Sequence, residues 1–97
     1  MAEWKSIEHL EDHYGWHGHE FGSASIDEYD ASAQDTLDVG IYFEYEDDRT
    51  GEWRTGCYHR ETGRLTILDD QDRIVAHFHY TEGYVRNLAG STYSHYG

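Results

Sequence analysis

An α+β fold, two N-terminal helices packed on a four-stranded antiparallel β-meander, is what these 97 residues predict. Three observations lead there. The apolar period is helical up to residue 39 and becomes two between residues 41 and 80. Short clusters of turn-forming residues separate the later runs. No proline interrupts any of them. The length suits one domain. Its parts are 1–39 (helical and acidic), 40–80 (antiparallel sheet) and 81–97 (C-terminal tail).

The first helix is expected over residues 4 to 14, where Trp4, Ile7, Leu10 or His9, and Tyr14 recur at helical spacing. Gly15 and Gly18 are its expected stops, opening a glycine-broken loop from Gly15 to Gly22. Ser25-Ile26-Asp27-Glu28 has the S-x-x-E form of a capping box. It starts a second helix that turns Ile26, Tyr29, Ala33 and Leu37 inward and ends at Gly40.

Strand one carries Ile41, Phe43 and Tyr45, and Asp48-Arg49-Thr50-Gly51 is turn chemistry. Trp53, Thr55, Cys57 and His59 share one face of strand two. Glu61-Thr62-Gly63 suits a three-residue hairpin loop, with Gly63 in the left-handed region. Leu65 and Ile67 lie inward on strand three. A turn over Asp69–Asp72 leads to Ile74, Ala76, Phe78 and Tyr80 on strand four. The tail is expected to be either irregular or a short helical turn at residues 84 to 88.

Loop lengths convert this alternation into a register. Phe43 then faces Cys57, Cys57 faces Ile67, and Ile67 faces Ile74, with all the apolar side chains beneath the helices. By the same parity the opposite, open face carries Arg54, Tyr58, Arg60, Arg64, Thr66, Val75, His77 and His79. No acid is among them. Cationic and aromatic groups on an open antiparallel sheet suit a phosphate-bearing, single-stranded ligand.

Composition narrows the class. Twenty acids face seven bases, for a formal net charge of −13. Residues 1–48 hold 14 acids and one base (1 − 14 = −13), and residues 49–97 hold six of each (6 − 6 = 0). Fifteen aromatic residues (3 Trp, 9 Tyr, 3 Phe) argue for a folded chain rather than an acidic disordered one. The single Cys57 excludes an internal disulfide framework and a multi-cysteine zinc site, and reads as a small buried apolar residue. No apolar run approaches the roughly 20 residues of a membrane span, and the N-terminus lacks a signal peptide, so the cytoplasm is the expected compartment.

Histidine gathers near the N-terminus as His9, His13, His17 and His19. His9 and His13, four residues apart on the first helix, could share a metal, but no further ligand is dictated. Neither a metal nor a cofactor is expected. Histidine also serves as a general acid or base near neutral pH. Metal-free RNA cleavage uses that property, with arginine balancing charge on the phosphorane. The segment Gly90-Ser91-Thr92-Tyr93-Ser94 adds hydroxyl donors.

The run His13-x-x-x-His17-Gly18-x-Glu20-Phe21-Gly22-x-x-Ser25-x-x-Glu28-Tyr29-x-x-x-Ala33 resembles the opening of small bacterial and phage toxin-type domains. These belong with the barnase-like and colicin-D-like metal-independent ribonucleases. The resemblance implies N-terminal helices on a four-stranded antiparallel sheet, with catalysis on the open face. It implies His17, Arg54 and Thr92 as catalytic residues, with Arg64 and Ser91 binding the substrate, RNA. The parity of the open face adds His77 to the catalytic set and Tyr58 and His79 to the substrate-binding one. The alternative is a non-catalytic acidic inhibitor that imitates nucleic acid, of anti-defence or anti-CRISPR type, and occupies the basic groove of a protein partner. Adaptation to a high-salt cytosol would also explain the acidity.

Overall fold

Helix α1 runs Ile7–His17 straight through Gly15, in a computed structural model that describes residues 1–96. Glycine inside a helix costs about 1 kcal/mol against alanine. Ring contacts flank it on both sides: His13 meets Trp16 edge-on at 5.2 Å, and His17 meets Phe78 at 5.3 Å. The helix starts later than expected, because the Ser6 hydroxyl caps it by accepting from the His9 N–H. Trp4 lies outside it. The stretch around Trp4 runs parallel to the edge of the last strand instead, with the Lys5 N–H on the Ile74 carbonyl and the Ile74 N–H on the Glu3 carbonyl. A 3-10 turn, Gly18–Phe21, follows α1, and Gly22 closes it with φ at +65°.

Helix α2, Ile26–Val39, begins at its expected cap. The Ser25 hydroxyl accepts from the Glu28 N–H, and the Glu28 carboxylate reaches back to the Ala24 N–H. Tyr29, Ala33 and Thr36 form its buried stripe at helical spacing.

Four antiparallel strands follow in the order β1-β2-β3-β4. They are β1 Ile41–Glu46, β2 Trp53–His59, β3 Arg64–Leu68 and β4 Ile74–His79. Architecture and topology match the sequence expectation, but the register does not. Phe43 faces Gly56, Gly56 faces Ile67, and Ile67 faces Ala76, with an irregularity between Ile67 and Leu68. Arg54 and Ile67 therefore lie on the same face, and the expected open face does not exist as such. Loop lengths explain the slip. Four residues, Arg60 to Gly63, connect the paired His59 and Arg64 where three were expected. At the last turn Asp72 takes φ +60°, while the Asp69 carboxylate accepts from the Gln71 and Arg73 N–H groups.

The deeper reason is that both faces are covered. One packs against α2 and buries Cys57, Thr66, Leu68, Ile74 and His77. The other buries Phe43, Tyr58, Leu65, Ile67 and Ala76 together with Val85 and Tyr93 from the tail. The tail is thus a structural layer. It contains α3, Glu82–Arg86, and α4, Tyr93–Tyr96. Glu82 pins it by accepting from the Tyr93 hydroxyl at 2.8 Å and pairing with Arg60 at 2.9 Å. Trp53, expected inside, is 52% exposed. Among the described residues no helix is long and apolar enough to cross a membrane.

Candidate functional site

The slipped register separates the residues expected to act together. His77 lies under α2, fully buried. Its Nδ1 is 2.9 Å from the Thr66 hydroxyl, its Nε2 is 2.9 Å from the Ser32 hydroxyl, and its ring stacks on Phe21 at 4.4 Å. Burial pulls its pKa down to about 3, helped by the nearby Arg64 charge. It is a neutral core imidazole held by hydroxyls on both sides, out of reach of a surface ligand.

Arg64 shares that face, pairing with Asp35 at 3.5 Å above the Phe21 ring. His79 is exposed at the end of β4, where its backbone N–H donates to Glu20. Tyr58 points the other way and is buried under the tail, its hydroxyl donating to the Tyr80 carbonyl. Thr92 and Ser91 serve the backbone. The Thr92 hydroxyl accepts from the Glu44 N–H, and the Ser91 hydroxyl accepts from the Tyr93 N–H. His17 bonds the Glu20 carboxylate at 2.6 Å. Burial pushes the Glu20 carboxyl up, but the hydrogen bonds from His17 and the His79 N–H outweigh it and hold it below its usual range.

Of the expected set, Arg64 and Tyr58 border two separate hollows, and Arg54 lines a third whose chemistry differs from the expected one. A depression of about 360 Å³ opens on the sheet face away from α2, between α1 and the β1–β2 loop. Lys5, His9 and His13 line it from the α1 side, and Tyr45, Asp47, Arg49, Thr50 and Arg54 from β1, its loop and β2. Ile67, Val75, Ala76 and Phe78 of the sheet form the floor, and Tyr84 of α3 lines it too. Three of the chain's seven bases and two of its eight histidines thus border one hollow. A cavity of about 590 Å³ lies elsewhere, but there Glu3, Asp38 and Asp72 outnumber the one base, Arg73, and no histidine borders it.

His9, His13 and His17 form a ladder along α1, because spacing of four places side chains above one another. Their ring centroids are 6.0 and 5.8 Å apart. In the middle, His13 has its pKa lowered to about 4, first by burial, then by the neighbouring His17 and His9, with Asp12 opposing. It is therefore neutral at physiological pH. Among the described residues, two buried side-chain atoms lack a hydrogen-bond partner, His13 Nδ1 and Arg54 Nε. Both belong to residues that border this cleft. Each such group costs on the order of 1–3 kcal/mol and calls for an explanation, a catalytic role being one. The Arg54 side chain is 12% exposed, with Glu52 at 3.5 Å and Asp47 at 3.7 Å, both long for ion pairs. Burial raises the Tyr45 hydroxyl to about 12, so it stays a hydrogen-bond donor. No group of three or more His, Cys, Asp or Glu is placed to hold a metal ion among the described residues.

Sequence reasoning passed over His13 as a cleft residue, and Lys5, Arg49, Tyr45 and Tyr84 with it. The spacing of His9, His13 and His17 was a usable signal for one helical face. Nothing local in the sequence announces that residues 5, 49 and 84 meet. Compared with known protein families, curated proteins and solved structures, the chain has no match.

Proposed function

We propose that the chain is a metal-independent endoribonuclease-like domain whose active site is the cleft bordered by His13 and Arg54. The observation that carries this reading is the meeting of a neutral imidazole and a nearly buried guanidinium with Lys5, His9 and Arg49, in a protein of net charge −13. The toxin-type resemblance of the His13–Ala33 stretch supports the class of reaction, although the histidine it singles out is His17 and not His13, and the position of the cleft away from α2 supports it as well. RNA as substrate implies a cytoplasmic setting.

In this mechanism His13 takes the proton from a ribose 2′-hydroxyl. The freed oxygen attacks the adjacent phosphorus, and the bond from phosphorus to the 5′-oxygen breaks. His9 is the acid that gives a proton to that leaving oxygen. Arg54 and Lys5 balance the charge gathering on the phosphorane oxygens. The products are a 2′,3′-cyclic phosphate and a 5′-hydroxyl. Incubation with total RNA and a chelator, followed by end-group analysis, tests it. Cleavage that persists in chelator with those ends is the expected result. RNA left intact between about pH 5 and 8, at low and high salt, overturns it.

A second reading rests on a different observation. Glu8, Glu11 and Asp12 on α1, and Asp27, Glu28, Asp35 and Asp38 on α2, are all exposed. Such helices suit an acidic inhibitor that fills a protein's basic groove in place of nucleic acid. That reading requires association with a basic nucleic-acid-binding protein that weakens steeply with salt. Recovery of RNA alone from a pull-down counts against it.

A further inference from the structure

Tyr84 lines the cleft, and its ring is stacked on Tyr80 at 3.9 Å with only 12° between the planes. Tyr80 is in turn braced edge-on by Phe78 at 4.8 Å, and Phe78 belongs to the cleft floor. Tyr84 is nevertheless 40% exposed, and Tyr80 37%. This backed, part-exposed aromatic ring lines the same cleft as Arg54 and Arg49 and belongs to neither buried core cluster. The ring is already held, so a flat ligand laid on it does not have to order it first.

We infer that Tyr84, backed by Tyr80, is a nucleobase-stacking subsite, so that the cleft takes an unpaired nucleotide with its base on Tyr84 and its phosphate toward Arg54. Base-to-aromatic stacking is tolerant of sequence, because every base has a π-face. A base inside a duplex is already stacked and cannot reach the ring. The inference rests on the ribonuclease reading and adds to it a preference for single-stranded segments.

Calorimetric titration of the intact chain with adenosine 3′-monophosphate and with ribose 5-phosphate tests the subsite without any cleavage. The nucleotide should bind at least about tenfold tighter than the sugar phosphate, in keeping with the usual worth of one stacked base. Tyr84→Ala should erase that preference while leaving the sugar phosphate within about twofold, and Tyr84→Phe should keep it. Equal affinities in the unaltered chain, equal weakening of both ligands by Tyr84→Ala, or no nucleotide binding would each overturn the subsite. The two readings fail separately. Intact RNA alongside a Tyr84-dependent base preference removes the ribonuclease and leaves the subsite. RNA cut in a His13- and Arg54-dependent way, with no base preference, does the reverse.

Discussion

Gly56 faces Phe43 across the β1–β2 ladder, and the Phe43 ring occupies the space a side chain at residue 56 would need. A Cβ there would overlap the ring itself, which sits fully packed against Tyr93 and Tyr45. Gly56→Ala should therefore destabilise the fold by about 1–3 kcal/mol, the usual cost of overpacking a tight core. Urea unfolding measures it. Combining it with Phe43→Leu should recover part of the loss, and an unchanged midpoint in Gly56→Ala alone would contradict the observed register.

Acid should weaken the fold through His77. Its folded pKa of about 3 lies below the ordinary histidine value of 6.5. Between those values the unfolded chain binds the extra proton, so stability rises with pH across that window and is lost as pH falls through it. At full protonation the loss is on the order of a few kcal/mol. His77→Gln keeps hydrogen-bonding groups beside Thr66 and Ser32 without the proton uptake. Its unfolding free energy should vary less with pH between about 4 and 6.5 than that of the unaltered protein. Parallel curves for the two proteins would show that His77 is not the titrating group.

Cleavage should depend on one face of the sheet. His13→Ala and Arg54→Ala should each lower the rate on the order of 10²-fold. Arg64→Ala, which alters the α2 side, should leave it nearly unchanged. Initial rates on a short fluorogenic oligoribonucleotide make the comparison, with circular dichroism to verify folding. An Arg64→Ala loss equal to that of Arg54→Ala would move the site to the other face.

The lone thiol should be inert. Cys57 is buried against α2, its Sγ 3.2 Å from the Thr36 carbonyl, and burial pushes its pKa up to about 12. Thiolate is the reactive form. A thiol reagent should label native protein at neutral pH very slowly and unfolded protein at once. Fast labelling without denaturant would mean that α2 does not stay seated on β2.

Element order was legible because it depends on local period and punctuation. Ser25 and Glu28 mark the start of α2, and the run Ile41, Phe43, Tyr45 marks β1. Register was not legible. Alternation identifies the inner face only where the other face is polar. Here Cys57, Leu68 and Ile74 are as buried on one side as Tyr58, Leu65 and Ile67 are on the other. A better signal was Gly56, since glycine inside a strand marks a close approach. The candidate site was legible in part. Arg54 and the histidine spacing were visible, but the meeting of Lys5, Arg49 and Tyr84 depends on long-range packing that no local pattern encodes.

The two outer strands are closed by distant parts of the chain. Residues 3–5 run beside Ile74 on β4. At β1 the Glu46 N–H donates to the Ala89 carbonyl, and the Thr92 N–H to the Glu44 carbonyl. During synthesis, then, the meander would emerge from the ribosome with β1 unguarded and Phe43 and Tyr58 uncovered. Only after residues 85 to 93 had left the exit tunnel could Val85 and Tyr93 seal that layer. An unpaired strand edge beside exposed aromatic side chains is a recognised hazard for mispairing. Vectorial folding of this domain should therefore be a late, concerted event, and a nascent chain arrested before residue 85 should be the form that chaperones hold.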